Sequence, residues 1–312
     1  MMTGLELVVT RSAEVVPGVR ELVLARPDGG PLPAHPAGSH VVAECGERRN
    51  AYSLTNGGAE PREYAVAVLR RPGGRGGSAW LHERRPGDPL VVSAPRCAFA
   101  PVLTARRHLL VAGGIGITPM LAHVRDAVRW NRDVELLYAH RPDAPAYAAD
   151  LDRLLGERLR RTSDRREFRG LLGDALRRQP LGTHLYVCGP APLMELVTDT
   201  AEAAGWPAQR VHRERFTAAE VAPGTPFTAR LRRSGRDVAV AAGTTLLDAL
   251  HAAGVAVPSM CRQGVCGECR VPVLAGQPQH RDEYLDEHER AAGTCVLPCV
   301  SRSETGVLEV DL

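Results

Sequence analysis

The sequence predicts three modules in a row. An antiparallel β-barrel spans residues 1–103, an α/β domain on a parallel sheet spans 104–222, and a β-grasp-like α+β domain spans 223–312. Three observations point there. Short alternating or apolar runs, cut by Gly and Pro clusters, fill the first third. Strands then alternate with helices. A cysteine-rich loop at 261–269 follows a hairpin and a short helix. At 312 residues the chain is too long for one ordinary core, and 44% apolar content is that of a globular protein. A net charge of +3 is too small to argue for nucleic acid. Arginine is abundant and lysine absent, which reads as genomic composition bias. No run approaches the length of a membrane span, and residues 1–17 lack the apolar core of a signal peptide, so neither is expected.

In the first module the runs are 5–10, 19–24, 40–43, 64–69 and 90–93, none with a sustained helical period. That spacing argues for a sandwich or barrel. Two stretches suggest a ligand. Arg48-Arg49-Asn50-Ala51-Tyr52-Ser53-Leu54 offers an aromatic face and a hydroxyl from one strand, although a plain strand with one buried Tyr reads the same way. Arg71-Pro72-Gly73-Gly74-Arg75-Gly76-Gly77-Ser78 leads into Ala79-Trp80-Leu81-His82 and could cradle an anion at a short helix, or be a simple hairpin loop.

The second module opens with an apolar strand at 108–112, then Gly113-Gly114-Ile115-Gly116-Ile117-Thr118-Pro119 and a helical pattern to Trp130. Strands at 134–139 and 184–188 and helix-like runs at 148–159 and up to about 204 complete an open parallel sheet. A glycine-rich hand-over from strand to helix suits a dinucleotide pyrophosphate, because the backbone can approach closely and the helix N-terminus favours negative charge. The run is not a G-x-G-x-x-G, so a tight turn explains it nearly as well. Cys188-Gly189-Pro190 also ends a strand and starts a helix, with proline near the first helical position.

After a linker at 218–225, runs at 227–231 and 238–241 form a hairpin around Ser234-Gly235-Arg236, and 245–253 reads as a capped amphipathic helix. The loop Cys261-Arg-Gln-Gly-Val-Cys266-Gly-Glu-Cys269 follows, with strands at 270–274, 296–301 and 307–310. Its C-x4-C-x2-C spacing and a further cysteine about 30 residues on match the plant-type ligand set of a [2Fe–2S] cluster. Gly264 and Gly267 let the backbone fold around the sulfides. Zinc sites pair their cysteines differently, with a second pair or histidines beyond. Cys295 and Cys299 are both placed to supply the fourth thiolate. Cysteines serving a metal favour a reducing cytoplasm over disulfides.

Taken in order, Ala51-Tyr52-Ser53-Leu54, Gly74-Arg75-Gly76-Gly77-Ser78, Pro86-Gly87-Asp88, 113–119, Cys188-Gly189-Pro190, the cluster loop, His280-Arg281-Asp282 and Cys299-Val300-Ser301-Arg302 resemble the phthalate dioxygenase reductase family over essentially the whole chain. The resemblance implies a flavin barrel, a nicotinamide domain and a C-terminal ferredoxin domain. It implies FMN, with Tyr52 and Ser53 against the ring, Arg75, Gly76, Gly77 and Ser78 around the phosphate, and Arg49, Asn50 and Leu54 also among the cofactor-binding residues. Where the family usually has Arg two positions before the Tyr, this chain has Asn50, with Arg49 one earlier. It implies nicotinamide binding by Gly113, Gly114, Gly116, Thr118, Pro119, Cys188, Gly189 and Pro190, and it selects Cys299 to join Cys261, Cys266 and Cys269 on the metal. Ser53 and Cys188 are the candidate catalytic residues.

Nicotinamide gives two electrons at once, the cluster takes one, and a flavin can do both, so the expected activity is a two-to-one electron converter serving an oxygenase, Rieske-type or cytochrome P450. After the strand at 134–139, His140-Arg141-Pro142-Asp143 leaves NADH favoured and NADPH the alternative. A stand-alone flavin or ferric reductase would not need a cluster. A non-catalytic iron–sulfur redox sensor would not need both ligand stretches of the first two modules.

Overall fold

The computed structural model describes residues 4–46, 48–71, 73, 76–97, 99–143, 145–216, 224–259, 262, 264, 267–282 and 284–312. They form two compact units, Met1–Arg215 and Phe216–Leu312. Most of the expected linker lies outside the described residues.

The first unit begins with a seven-stranded antiparallel sheet: β1 (Leu5–Val16), β2 (Val19–Ala25), β3 (Ser39–Cys45), β4 (Arg48–Ser53), β5 (Glu63–Leu69), β6 (Pro89–Val92) and β7 (Arg96–Cys97), with helix α1 (Gly77–His82) between β5 and β6. The order is β4-β3-β6-β1-β2-β5, with β7 also on β3. A bridge between Leu54 and Val66 carries the end of β4 onto β5 and closes the sheet on itself. Closure removes the exposed edges. Its inward faces pack Leu7, Val9, Leu22, Leu24, Val41, Leu54, Tyr64, Val66 and Leu90. β1 runs six residues beyond the expected run. Irregularities at Val9/Arg11 and Glu14/Val16 break the alternation that marks a strand in sequence.

The parallel sheet follows: β8 (Arg107–Gly113), α2 (Ile117–Arg129), β9 (Val134–Ala139), α3 (Ala148–Leu155), β10 (Leu159–Thr162), α4 (Arg165–Arg177), β11 (Thr183–Cys188), α5 (Ala191–Ala203) and β12 (Val211–Glu214). Its order is β10-β9-β8-β11-β12. The chain winds outward from β8 in one direction and returns through β11 in the other, so the order reverses between these two strands. Ligands bind open α/β sheets at the carboxyl ends of such a pair. The structure adds β10, α4 and β12 to the expected elements, and α3 ends at Leu155 rather than running to 159. Arg125 donates from Nη1 to Thr55 O (2.8 Å), and the Tyr147 hydroxyl donates to Glu21 Oε1 (3.0 Å), so the parallel sheet's helices are tied to the barrel.

The second unit holds β13 (Phe227–Leu231), β14 (Arg236–Val240), α6 (Leu246–Ala252), β15 (Val271–Ala275), β16 (Pro278–Gln279), α7 (Glu287–Ala292), β17 (Cys295–Val296), β18 (Arg302–Ser303) and β19 (Val307–Val310). The main sheet runs β14-β13-β19-β15-β17, with β13 and β19 parallel and the other pairs antiparallel. Helix α6 starts at Thr245, whose hydroxyl accepts from Asp248 N, and packs Leu246, Leu247 and Leu250 on the sheet core. Arg302 is buried at 1% exposure. Its guanidinium is neutralised by no carboxylate among the described residues. It donates to Thr244 O, Ala241 O and Thr225 O, pinning the start of the unit to its end. No helix among the described residues is long and apolar enough to cross a membrane.

Candidate functional site

The reversal point is built by glycine. β8 and β11 run in register to Ala112 and Cys188, and their following loops meet backbone to backbone. A Cβ on Gly116 would stand 2.2 Å from Cys188 O, and one on Gly189 would stand 3.0 Å from Gly113 Cα. A Cβ on Gly113 would meet Leu193 and Pro190 at 2.9 Å. Gly114 takes φ +54, where a side chain is strained. Thr118 donates its hydroxyl to Ile115 O (3.0 Å), which fixes the turn entering α2. Pro119 sits in the first turn of that helix, where its missing N–H costs nothing. Pro190 is the N-cap of α5, and Pro192 occupies its first turn. The Cys188 thiol is fully enclosed, and burial raises it well above its ordinary range, so it stays protonated.

Sequence reasoning missed Glu214. It lies opposite Cys188 where β12 ends, and its Oε2 is buried with no partner among the described residues. Burial pushes the carboxyl up to about 8. At neutral pH it is therefore a neutral acid able to donate a hydrogen bond to an amide bound at this edge. Val-His-Arg-Glu carries no sign of this, because its burial is supplied by β11. Since the folded value lies above the unfolded one, the neutral form stabilises the fold at low pH, and that contribution is lost as pH rises through about 8. The expected result is a fall in kcat/KM for NADH above about pH 8 that Glu214→Gln removes, read from steady-state pH profiles.

In the barrel, Asn50 and Tyr52 share one face of β4, and the Asn50 amide donates to the Tyr52 hydroxyl (3.3 Å). A Cβ on Gly77 would stand 2.2 Å from Asn50 Nδ2, so the start of α1 presses directly onto this side chain. Ser78 accepts from Arg71 N through its hydroxyl (3.2 Å), and Gly76 precedes α1 at φ +94. Arg49 is not brought to this group. It points to the other face and pairs with Glu44 at 2.6 Å. Ser53 is buried opposite His40 of β3, and Leu54 turns its side chain into the core. Arg75 lies outside the described residues.

In the second unit Cys261 and Cys266 lie outside the described residues, but the rest of their loop is informative. Gly264 and Gly267 have φ +74 and +72. A Cβ on Gly264 would meet Val300 at 2.7 Å, and one on Gly267 would meet the Tyr284 ring at 2.3 Å. A side chain at either of these two positions would therefore collide. The Cys269 and Cys299 sulfurs stand 3.3 Å apart, both buried. A disulfide would need about 2.05 Å. Two thiolates on one tetrahedral metal with bonds of about 2.3 Å stand roughly 3.8 Å apart, so this pair would have to open by about 0.5 Å to share one. The Cys295 thiol instead faces Arg270 and Glu289. Behind the loop, fully buried Asp282 accepts from Leu285 N (2.9 Å) and from the Ser301 hydroxyl (3.1 Å). Cys269, Cys299 and the two glycine positions thus fit a thiolate-held cluster, and the Glu214 carboxyl at the sheet edge fits an amide-bearing nucleotide.

Comparison with known proteins agrees. Residues 93–211 match the model described as "Dimethylamine monooxygenase subunit DmmA-like, N-terminal domain", and 229–304 match the 2Fe-2S iron-sulfur cluster binding domain. The chain is 43% identical to the heme-dependent oxidative N-demethylase beta subunit of Ectopseudomonas mendocina, covering 100% of both. It is 35% identical to phthalate dioxygenase reductase of Burkholderia cepacia, covering 99% of this chain and 97% of that one. A solved phthalate dioxygenase reductase, described as a modular structure for electron transfer from pyridine nucleotides to [2Fe-2S], superposes with a TM-score of 0.72 at 34% identity, over 99% of this chain and 98% of that one. The chain belongs to the phthalate dioxygenase reductase family, the flavin and [2Fe–2S] reductase components of oxygenase systems.

Proposed function

We propose that this chain draws reducing equivalents from NADH and delivers them one at a time to an oxygenase. The carrying observation is the Cys269–Cys299 sulfur pair in a chain that also has a glycine-built strand-edge site. When bound, FMN would supply an acceptor for one hydride, two electrons, from the nicotinamide, and the [2Fe–2S] cluster would supply a carrier that takes electrons singly. The chain's own work is positional. Gly113, Gly116 and Gly189 let the backbone close on a dinucleotide, Cys188 supplies an apolar wall, and the Glu214 carboxyl holds a proton beside it. Asn50 and Tyr52 would form one side of the flavin site, with Ser53 on the same strand and Gly76, Gly77 and Ser78 toward its phosphate. Cys261, Cys266, Cys269 and Cys299 would hold the cluster. Desolvation makes each of these contacts count for more than it would in water.

For the partner, 43% identity to a subunit of a heme-dependent oxidative N-demethylase over 100% of both chains, against 41% over 84% of this chain for a phenoxybenzoate dioxygenase subunit, leads us to a haem oxygenase that removes N-methyl groups ahead of a Rieske-type one. NADH rather than NADPH is the donor we assign, and the cytoplasm the compartment, where thiolates stay reduced for metal binding. The test mixes the purified chain and NADH with a haem demethylase component and, separately, with a Rieske oxygenase. Product formation coupled to NADH use with the first supports the assignment; turnover only with the second moves the partner class.

A further inference from the structure

We propose that Tyr284, with the acidic turn that follows it, is the face on which this chain docks its electron acceptor, and that the acceptor meets it with a basic rim. The inference rests on the electron-transfer reading above. Cys269 and Cys299 are 2% and 3% exposed, so an acceptor cannot touch those two ligands themselves. Tyr284 is 43% exposed and still lies on the loop. The far end of its ring covers Gly267, between Cys266 and Cys269: a Cβ there would stand 2.3, 2.5 and 2.6 Å from Cζ, Cε2 and Cε1. One face of an aromatic ring thus contacts the loop while the side chain remains open to a partner.

The backbone that carries the ring is held in place. The next residue, Leu285, is buried, and its N–H is fixed by the enclosed Asp282 carboxylate, which Ser301 also holds. Arg290 donates to Asp282 O (2.6 Å) from α7. A preorganised, half-exposed aromatic is the kind of residue that dominates interface energetics, because it loses little conformational entropy on binding.

Charge selects the partner. Asp286 and Glu287 are exposed at the start of α7, and Glu287 has no ion pair among the described residues. Arg262 is drawn to Asp248, Arg270 to Glu289 and Arg290 to Asp282. Residues 216–312 carry twelve acidic side chains and nine arginines, whereas residues 1–215 carry twenty-four and thirty. The cluster unit is the acidic part of a basic chain, and a basic acceptor is steered to it.

The probe is a basic mitochondrial cytochrome c, which gains one electron as the cluster loses one. Binding is read by titration calorimetry and turnover by NADH-driven reduction. Tyr284→Ala is expected to weaken binding and raise the KM for cytochrome c about tenfold, with Tyr284→Phe close to the parent. Glu287→Arg should raise that KM and flatten its salt dependence. In all three variants NADH should still reduce the cluster, seen by electron paramagnetic resonance. Unchanged binding and KM in both Tyr284→Ala and Glu287→Arg would overturn the proposal. If Tyr284→Ala loses the cluster, Glu287→Arg decides, since it does not touch the loop. An acidic cytochrome served equally well, or a self-association that Tyr284→Ala abolishes, would also overturn it. A parent chain that NADH cannot reduce sinks the functional reading too, whereas a reducible chain with unchanged KM sinks this inference alone.

Discussion

Replacing Cys266 or Cys299 by serine is expected to leave NADH-driven flavin bleaching intact and to abolish reduction of cytochrome c or of the oxygenase. The two halves of the activity separate because they sit on different groups of residues. On the function proposed above, hydride capture depends on the strand-edge site of the first unit, and single-electron delivery on the thiolates of the second. Loss of a ligand should cost more than the roughly 10–100-fold that loss of an outer-shell partner does. Cys295→Ser is the control. Its thiol faces Arg270 rather than the Cys269–Cys299 pair, so the cluster spectrum should persist. Stopped-flow absorbance at the flavin band, beside a cytochrome c assay, reads both halves. Equal loss of cluster in the Cys295 and Cys299 variants would mean that the ligand set is misassigned.

Gly116→Ala is expected to strike the other half. The added methyl would stand 2.2 Å from Cys188 O and 2.5 Å from its carbonyl carbon, and backbone cannot swing aside as a flexible side chain can. The loops after β8 and β11 must part, at a cost of about 1–3 kcal/mol by the usual scale of overpacking. A shift of about 1 Å at a site that aligns two reactants costs on the order of a hundredfold in rate. The expected outcome is a fall of that size in kcat/KM for NADH. Photochemically reduced enzyme should still pass electrons to cytochrome c at the parent rate. Gly170→Ala, at an open position of α4, should change neither.

The barrel was legible in sequence because short apolar runs bounded by Gly and Pro clusters, such as 19–24 and 64–69, mark buried strands, here within β2 and β5. β10 was not. Leu-Arg-Arg-Thr is short and carries two arginines, and it becomes a strand only by pairing with β9. Helix α4 did carry its signals. Asp164 caps it by accepting from Glu167 N, and Phe168, Leu172, Ala175 and Leu176 fall on one face. Gly170, Gly173 and five arginines in and beside the helix hid that stripe. The metal loop could be read from spacing alone, because thiolate geometry dictates spacing. Glu214 and Asp282 could not be assigned roles, because a carboxylate's burial is decided by what packs over it.

The most direct test of the account is an anaerobic NADH titration of the purified chain, followed by flavin absorbance and by electron paramagnetic resonance of the iron. The account predicts one FMN and one [2Fe–2S] cluster per chain, with the flavin band bleaching and the reduced-cluster signal rising as NADH is added. A chain that binds zinc in place of iron, or whose flavin bleaches while the iron signal never appears, would contradict it.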